Sequence, residues 1–257
     1  LTSQLITAEG PLTRSVADCA LATNVMARAS ALDPQQVPMP PIGQAAVPRR
    51  VGLVFGSSLG APAPQTDRAL RRAADALRAT GVQVVEIELP HFAHAHEIWL
   101  RLVFHAIEHH FIDAIRAGED AALLTKVSTA LEILPTTRAE DVPDLWVTRL
   151  QIMRAWSEMF EDVPVVLLPV SYRHGLTVDA DQGDGASLSR LFADQSPFLA
   201  TALMGMPGVS VPTGLAQDGV PTGVQLIARW WDGARLLATG AVIEAAMPRS
   251  PVVSPRT

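Results

Sequence analysis

The sequence predicts an α/β fold in which helices pack on a β-sheet, and two patterns lead to this prediction. A strand pattern at 51–55, an amphipathic helix pattern at 66–80 and a strand pattern at 82–88 follow one another, which is typical of a β-α-β unit. Apolar runs at 208–213 and 222–228 flank a turn signal, which is typical of a β-hairpin. Both units need helices to cover their apolar faces, so we expect a layered architecture.

The first third of the chain begins with a helix pattern at about 14–29. A Pro-rich connector follows at 33–50, and its five prolines predict an extended segment on the surface. In the helix predicted at 66–80, four apolar side chains share one face, and Gly81 follows as a terminator. These side chains are Leu70, Ala73, Ala74 and Leu77.

The middle of the chain predicts helices at 94–131 and 144–160 and then a short apolar run at 163–168. This apolar run has the length of a strand, so we expect a fully buried strand. A further helix is predicted at 187–204.

The end of the chain predicts the hairpin and a last helix. Gln217, Asp218 and Gly219 form the turn signal, with Gly219 where a positive φ is needed. Asp232 immediately precedes the helix pattern at 233–246 and is a candidate N-cap.

Composition restricts the class of protein. A chain of 257 residues with 48% hydrophobic residues is expected to bury roughly 70–75% of its unfolded surface, and one domain is the simplest organisation. The net charge of −6 has no basic stripe, which argues against a nucleic-acid partner, and no long apolar run predicts a membrane span. Cys19 is the single cysteine, which fits a reducing compartment, so we expect a cytoplasmic protein.

Two segments carry family information. Residues 205–246 contain G-x-P-x-x-S-V-P-x-G, then D-G-x-P-x-G-x-Q-L-I, then the last helix pattern, and residues 9–21 read E-G-P-L-T-R-S-V-A-D-C-A-L. Both resemble the amidase signature family of serine amidohydrolases. The resemblance spans about 8–246 and is weakest at about 91–150. It implies a mixed β-sheet sandwiched between helices and hydrolysis of a carboxamide by acyl transfer to a serine.

The same resemblance implies where the catalytic groups lie. In this family the nucleophilic serine, a second serine, a lysine and a Gly/Ser-rich loop all precede the E-G-P element. Here nine residues precede Gly10, and the only lysine is Lys126. We therefore expect residues 1–257 to be the C-terminal portion of a single amidase domain, inactive alone, with the catalytic residues upstream of Leu1. That upstream segment is then an expected partner, and a homo-oligomer is an open alternative.

The resemblance also implies a set of residues nearest the substrate pocket. These are Phe198, Thr201, Met204 and Gln225. The expected substrate is a small-molecule amide, and the resemblance implies neither a metal nor an organic cofactor. Ala202 stands where the family commonly has asparagine, and Gly208 stands where alanine is usual, so the substrate class stays open.

Three other functions stay open at this point. The first is the amidase subunit of a tRNA-dependent amidotransferase, and the second is a catalytically silent binding protein derived from an amidase. The third is a zinc peptidase, because His105, Glu108 and His109 have the H-x-x-E-H order of inverted zinc peptidases. That interpretation requires a third ligand, and six of the seven histidines fall in this region, so a solvated or hydrogen-bonded helix face is the simpler interpretation.

The segment from Gly56 to Gly60 matches the G-x-S-x-G pattern of a nucleophile elbow and follows a predicted strand. An elbow requires a helix to start at once, but Pro62 and Pro64 delay the helix. An ordinary loop between strand and helix is therefore expected.

Overall fold

The computed structural model describes residues 2–32, 37 and 40–248. The described residues contain ten α-helices, and a π-helical turn continues the fourth of these helices. They are α1 (Thr2–Ile6), α2 (Val16–Met26), α3 (Pro64–Ala79), α4 (Phe92–Ala106) with the π-helix Ile107–Phe111, α5 (Ile112–Ala117), α6 (Ala121–Ile133), the short 3-10 helix Ala139–Asp141, α7 (Val142–Asp162), α8 (Gly185–Asp194), α9 (Ser196–Met204) and α10 (Gly233–Ala246).

Five strands form one mixed sheet in the order β2-β1-β3-β5-β4. The strands are β1 (Arg50–Leu53), β2 (Gln83–Glu86), β3 (Val165–Leu168), β4 (Gly208–Leu215) and β5 (Pro221–Ala228). β1 runs parallel to both β2 and β3, whereas β5 runs antiparallel to both β3 and β4. The predicted mixed α/β sheet is confirmed.

Helices cover both faces of this sheet because the strands are apolar on both sides. Val165 and Leu167 of β3 point to the layer that contains α3 and α10, and Val166 and Leu168 point to the layer that contains α4, α7 and α9. All four side chains are fully buried. The expectation of a sheet sandwiched between helices is therefore confirmed, as is the fully buried strand.

The predicted face of α3 is also confirmed. Leu70, Ala73, Ala74 and Leu77 are each 0% exposed. Gly81 follows the helix with φ +87°, a left-handed conformation that favours glycine.

The single helix predicted at 94–131 is wrong, because the chain turns between α5 and α6. Glu119 adopts φ 55° after Gly118, and the carboxylate of Asp120 accepts a hydrogen bond from the Leu123 N–H at 3.0 Å. A left-handed residue followed by an Asp N-cap ends one helix and begins another.

The single helix predicted at 187–204 is likewise wrong. α8 ends before Gln195, and α9 begins at Ser196 with Pro197 in its first turn. Proline is accommodated there because the first helical N–H groups have no intrahelical partner, so Pro197 marks a helix start.

The last helix forms where it is predicted, but its expected cap is different. Asp232 occupies the N-cap position of α10 and makes no side-chain capping hydrogen bond. Its carboxylate lies 3.3 Å from Arg235 Nη1 instead, as an ion pair within the first turn.

The Pro-rich connector is only partly described, since residues 33–36, 38 and 39 lie outside the described residues, as does Leu1. Residues 40–48 have no regular secondary structure, as predicted. The side chain of Asn24 on α2 anchors this stretch, because it donates to the Ile42 carbonyl at 3.0 Å and accepts from the Ile42 N–H at 2.6 Å.

No helix in the described part of the chain is long and apolar enough to cross a membrane.

Candidate functional site

Small and polar residues form one face of the hairpin, which we call the hairpin face. Ser210 of β4 lies directly opposite Gln225 of β5, and Pro212 lies opposite Gly223. Gly208 and Ser210 are exposed, and Gln225 is half-buried. Because side chains alternate along a strand, these residues share the face of Ile227, which belongs to the same core cluster as α9. The hairpin face thus lies beside α9 and is partly exposed.

Helix α9 makes a polar contact with the hairpin face. Thr201 is 5% exposed, and its Oγ1 accepts a hydrogen bond from Gln225 Nε2 at 3.0 Å. The same hydroxyl lies 3.0 Å from the Pro197 carbonyl and 2.9 Å from the Phe198 carbonyl, so its proton is directed back into the helix. This arrangement fixes the Gln225 side chain to α9.

The four residues predicted nearest the pocket occupy different environments. The structure brings Thr201 and Gln225 into contact, and it leaves Phe198 45% exposed three residues before Thr201 on α9. Residues three apart on a helix lie on the same side. Met204 is fully buried in the core, and its carbonyl accepts a hydrogen bond from Trp230 Nε1 at 3.2 Å. A substrate contact for any of the four stays a prediction.

Sequence reasoning missed Arg149, which supports α9 from α7. Arg149 is 9% exposed and donates from Nε to the Leu203 carbonyl at 2.6 Å. Its guanidinium lies over the Trp146 ring, 5.4 Å from the centroid. Burial lowers the pKa of Arg149 below its usual value. The signal in the sequence is a charged residue inside an apolar helical row, four residues after Leu145 and three before Ile152.

The comparison with protein families decides what this fold is. A family model described as "Amidase" matches residues 2–237. The chain belongs to the amidase family.

Two curated amidase relatives illustrate the range of similarity. The chain is 31% identical over 257 residues to indoleacetamide hydrolase of Bradyrhizobium japonicum, a match that covers 94% of this chain and 52% of that protein. It is 26% identical over 262 residues to a glutamyl-tRNA(Gln) amidotransferase subunit from Roseiflexus castenholzii, covering 90% of this chain and 52% of that protein. The chain spans about half the length of the curated relatives it matches.

Solved amidase structures share the fold. A bacterial aryl acylamidase belonging to the amidase signature enzymes superposes with a TM-score of 0.70 at 20% identity, covering 92% of this chain and 52% of that one. A fatty acid amide hydrolase superposes with a TM-score of 0.72 at 17% identity, covering 92% of this chain and 47% of that one. At these identities the superpositions support the amidase signature fold alone.

The histidine motif does not assemble a metal site in the described part of this amidase chain. His105 Nδ1 lies 2.9 Å from the Thr137 carbonyl, and the rings of His105 and His109 lie 4.3 Å apart. Glu108 is exposed in the π-helix. No group of three His, Cys, Asp or Glu residues among the described residues has the geometry to hold a metal ion. The zinc-peptidase alternative therefore lacks its third ligand there.

The G-x-S-x-G segment forms a loop, as predicted, because α3 begins only at Pro64. The Ser57 hydroxyl accepts hydrogen bonds from the Tyr172 hydroxyl at 2.9 Å and from the Leu59 N–H at 3.1 Å. Burial raises the pKa of Tyr172, so this phenol stays protonated and donates. Ser57 thus ties the loop after β1 to the loop after β3.

Lys126 is engaged in an ion pair with Asp181. Its Nζ lies 2.8 Å from Asp181 Oδ2, and both side chains are 34% exposed. The hydrogen bond from Lys126 holds the pKa of Asp181 below its usual value. Within the described residues, the partner of the Lys126 ammonium is thus a carboxylate.

Proposed function

We propose that this chain forms the substrate-facing wall of an amide hydrolase that works by acyl transfer to a serine. The observation that carries the proposal is the hairpin face, where the family motif S-V-P and the family motif Q-L-I meet. Ser210 lies opposite Gln225 there, and Thr201 of α9 holds the Gln225 amide. The chain contributes shape and hydrogen bonding, while the nucleophilic serine, the second serine and the lysine lie in sequence outside residues 1–257.

The proposed reaction has two steps. The serine attacks the carboxamide carbonyl and ammonia or an amine leaves, and water then releases the acid and frees the serine. Such a reaction needs a wall that orients the amide and shields it from bulk water. The hairpin face beside Thr201 and Gln225 suits that task, because Gly208 and Ser210 on this face are exposed.

We further propose that the acyl group is apolar and aromatic. The 31% identical relative is an indoleacetamide hydrolase, which supports an arylacetamide for this chain too. Phe198 is 45% exposed on the Thr201 side of α9 and offers a ring surface for such a group.

The proposal is tested with the protein carrying its natural flanking sequence. Ammonia release is measured for indole-3-acetamide, phenylacetamide, acetamide and glutamine. We expect the two arylacetamides to have the highest kcat/KM. Release of ammonia from none of the four amides would contradict the proposal and would favour a catalytically silent binding protein.

The second candidate is an amidotransferase subunit, which the 26% identical relative supports. In that case glutamine should be the preferred ammonia source, and activity should depend on partner subunits and an acylated tRNA. The net charge of −6 argues against direct tRNA contact by this chain. The same amide panel, repeated with and without acylated tRNA, separates the two candidates.

A further inference from the structure

The amide of Gln225 has a defined orientation. Its nitrogen lies 3.0 Å from Thr201 Oγ1, and the single proton of that hydroxyl is used toward the carbonyls of Pro197 and Phe198. Thr201 Oγ1 can therefore only accept from Gln225. A flipped amide would bring two acceptor oxygens together, so Nε2 faces Thr201.

The other end of this amide is an unused acceptor. Gln225 Oε1 points away from Thr201 and has no hydrogen-bond partner among the residues that the structure describes. Gln225 is only half-buried, and Gly208 and Ser210 on the same face are exposed, so a bound molecule can reach this part of the hairpin face. An amide oxygen at a half-buried position can accept a hydrogen bond from a bound molecule.

We propose that Gln225 Oε1 accepts a hydrogen bond from the N–H of the substrate carboxamide, and that Thr201 is a positioning residue that selects this orientation. The inference rests on the proposed amide hydrolysis. The ligand class is a primary or secondary carboxamide, because both carry an N–H next to the reacting carbonyl. An ester of the same acid has no such donor and cannot make this contact.

If Gln225 makes this hydrogen bond, the side chain raises kcat/KM only for substrates that carry an N–H at this position. Losing one hydrogen bond between neutral groups lowers kcat/KM by roughly three- to tenfold, and only for the substrate that makes the bond. Removing the Gln225 oxygen should therefore penalise amides and spare esters.

The experiment compares phenylacetamide with methyl phenylacetate, which share one acyl group, in the protein with its natural flanking sequence. For Gln225→Met we expect kcat/KM to fall roughly three- to tenfold with the amide and less than about twofold with the ester. Methionine keeps the length of the side chain and removes the amide. Gln217→Met, in the exposed hairpin turn, is the matched control and should change neither value.

Thr201 is tested by two further variants. Thr201→Val removes the acceptor for Gln225 Nε2 while conserving shape, so the preference for the amide should fall as in Gln225→Met. Thr201→Ser keeps the hydroxyl and should restore the preference. A thermal unfolding curve for each variant separates this effect from lost stability.

Equal losses on the amide and the ester, or no loss on either, would overturn the inference and leave Gln225 a structural residue. Failure of the unsubstituted protein to hydrolyse phenylacetamide or any other amide is a different result. It contradicts the proposed function itself.

Discussion

Arg149 on α7 donates a 2.6 Å hydrogen bond to the carbonyl of Leu203, in the last turn of α9. The last carbonyls of a helix have no intrahelical partner and carry partial negative charge, so a guanidinium there is favourable. The contact links two helices that pack on the same face of the sheet, and it lies near the turn into β4. Arg149 therefore supports the element that carries Thr201.

Replacing this arginine should destabilise the protein. Arg149→Ala removes a hydrogen bond from a charged donor and leaves the Leu203 carbonyl unpaired, so we expect the free energy of unfolding to fall by about 1.5–3 kcal/mol. Denaturant titration measures the change. Arg154→Ala, at an exposed position on the same helix, is the control and should stay within about 0.5 kcal/mol of the unsubstituted protein. Equal effects of the two substitutions would show that the Leu203 contact has no special weight.

His96 predicts a pH dependence of stability. This side chain is 7% exposed with Nε2 3.0 Å from the Phe192 carbonyl, and burial lowers its pKa below 6.5 despite that hydrogen bond. The unfolded chain then binds the proton more readily than the folded one, so stability is fully present above about pH 6.5 and is lost as the pH falls toward the folded pKa.

The test is the free energy of unfolding between pH 7.5 and pH 5, taken at steps of about half a unit. His96→Gln removes the titrating group and keeps a donor for Phe192, so the loss of stability below pH 6.5 should be smaller. His94→Gln, at an exposed position of the same helix, should retain the full loss. Identical pH profiles for all three proteins would rule out His96 as the source.

Gly208 predicts a stabilising substitution. A Cβ at this strand position would meet its nearest neighbour, the Leu226 carbonyl, at 3.6 Å, which is ordinary contact. Gly208→Ala should therefore raise the free energy of unfolding by about 0.4–1 kcal/mol, because it restricts the unfolded chain. Gly223→Ala should lower the free energy of unfolding instead, since its Cβ would lie 3.2 Å from the Val211 carbonyl, which is tighter than ordinary contact. A gain from both substitutions would show that backbone contacts at 223 are not limiting.

Because β4 is an edge strand, we expect the chain to associate when it is made alone. β4 pairs with β5 on one side, and its other edge has no strand partner within the described residues. Unpaired edges promote association, so we expect light scattering to detect oligomers and a hydrophobic dye to bind. Ser210→Lys places a charge on this exposed edge and should reduce association. A monodisperse 27.4 kDa monomer with a cooperative thermal transition would contradict this expectation.

How far the sequence predicts this structure depends on the range of the interactions. The apolar row of α3 and the run of β3 are local patterns, and both elements form as predicted. The break before α9 could have been predicted from Pro197, because proline is common in the first turn of a helix. The contact between Arg149 and Leu203 spans 54 residues, and no periodicity reports it.

The candidate site shows the same limit. Resemblance to the family named Thr201 and Gln225, but it did not indicate their hydrogen bond across 24 residues. Met204 is buried because of the way in which α9 packs on the sheet. The adjacent residues in the sequence, Leu203 and Gly205, do not indicate which side of α9 faces the core. These features follow from tertiary packing.

We propose that this chain forms a substrate wall and that the nucleophile lies outside residues 1–257. The most direct measurement is ammonia release from indole-3-acetamide by residues 1–257 alone and by the same residues with their natural flanking sequence, together with labelling of serine by a fluorophosphonate. We predict no turnover and no labelling for residues 1–257, and both for the longer protein. Turnover by residues 1–257 alone, with stoichiometric labelling of Ser57, Ser58 or any other serine in them, would contradict the account.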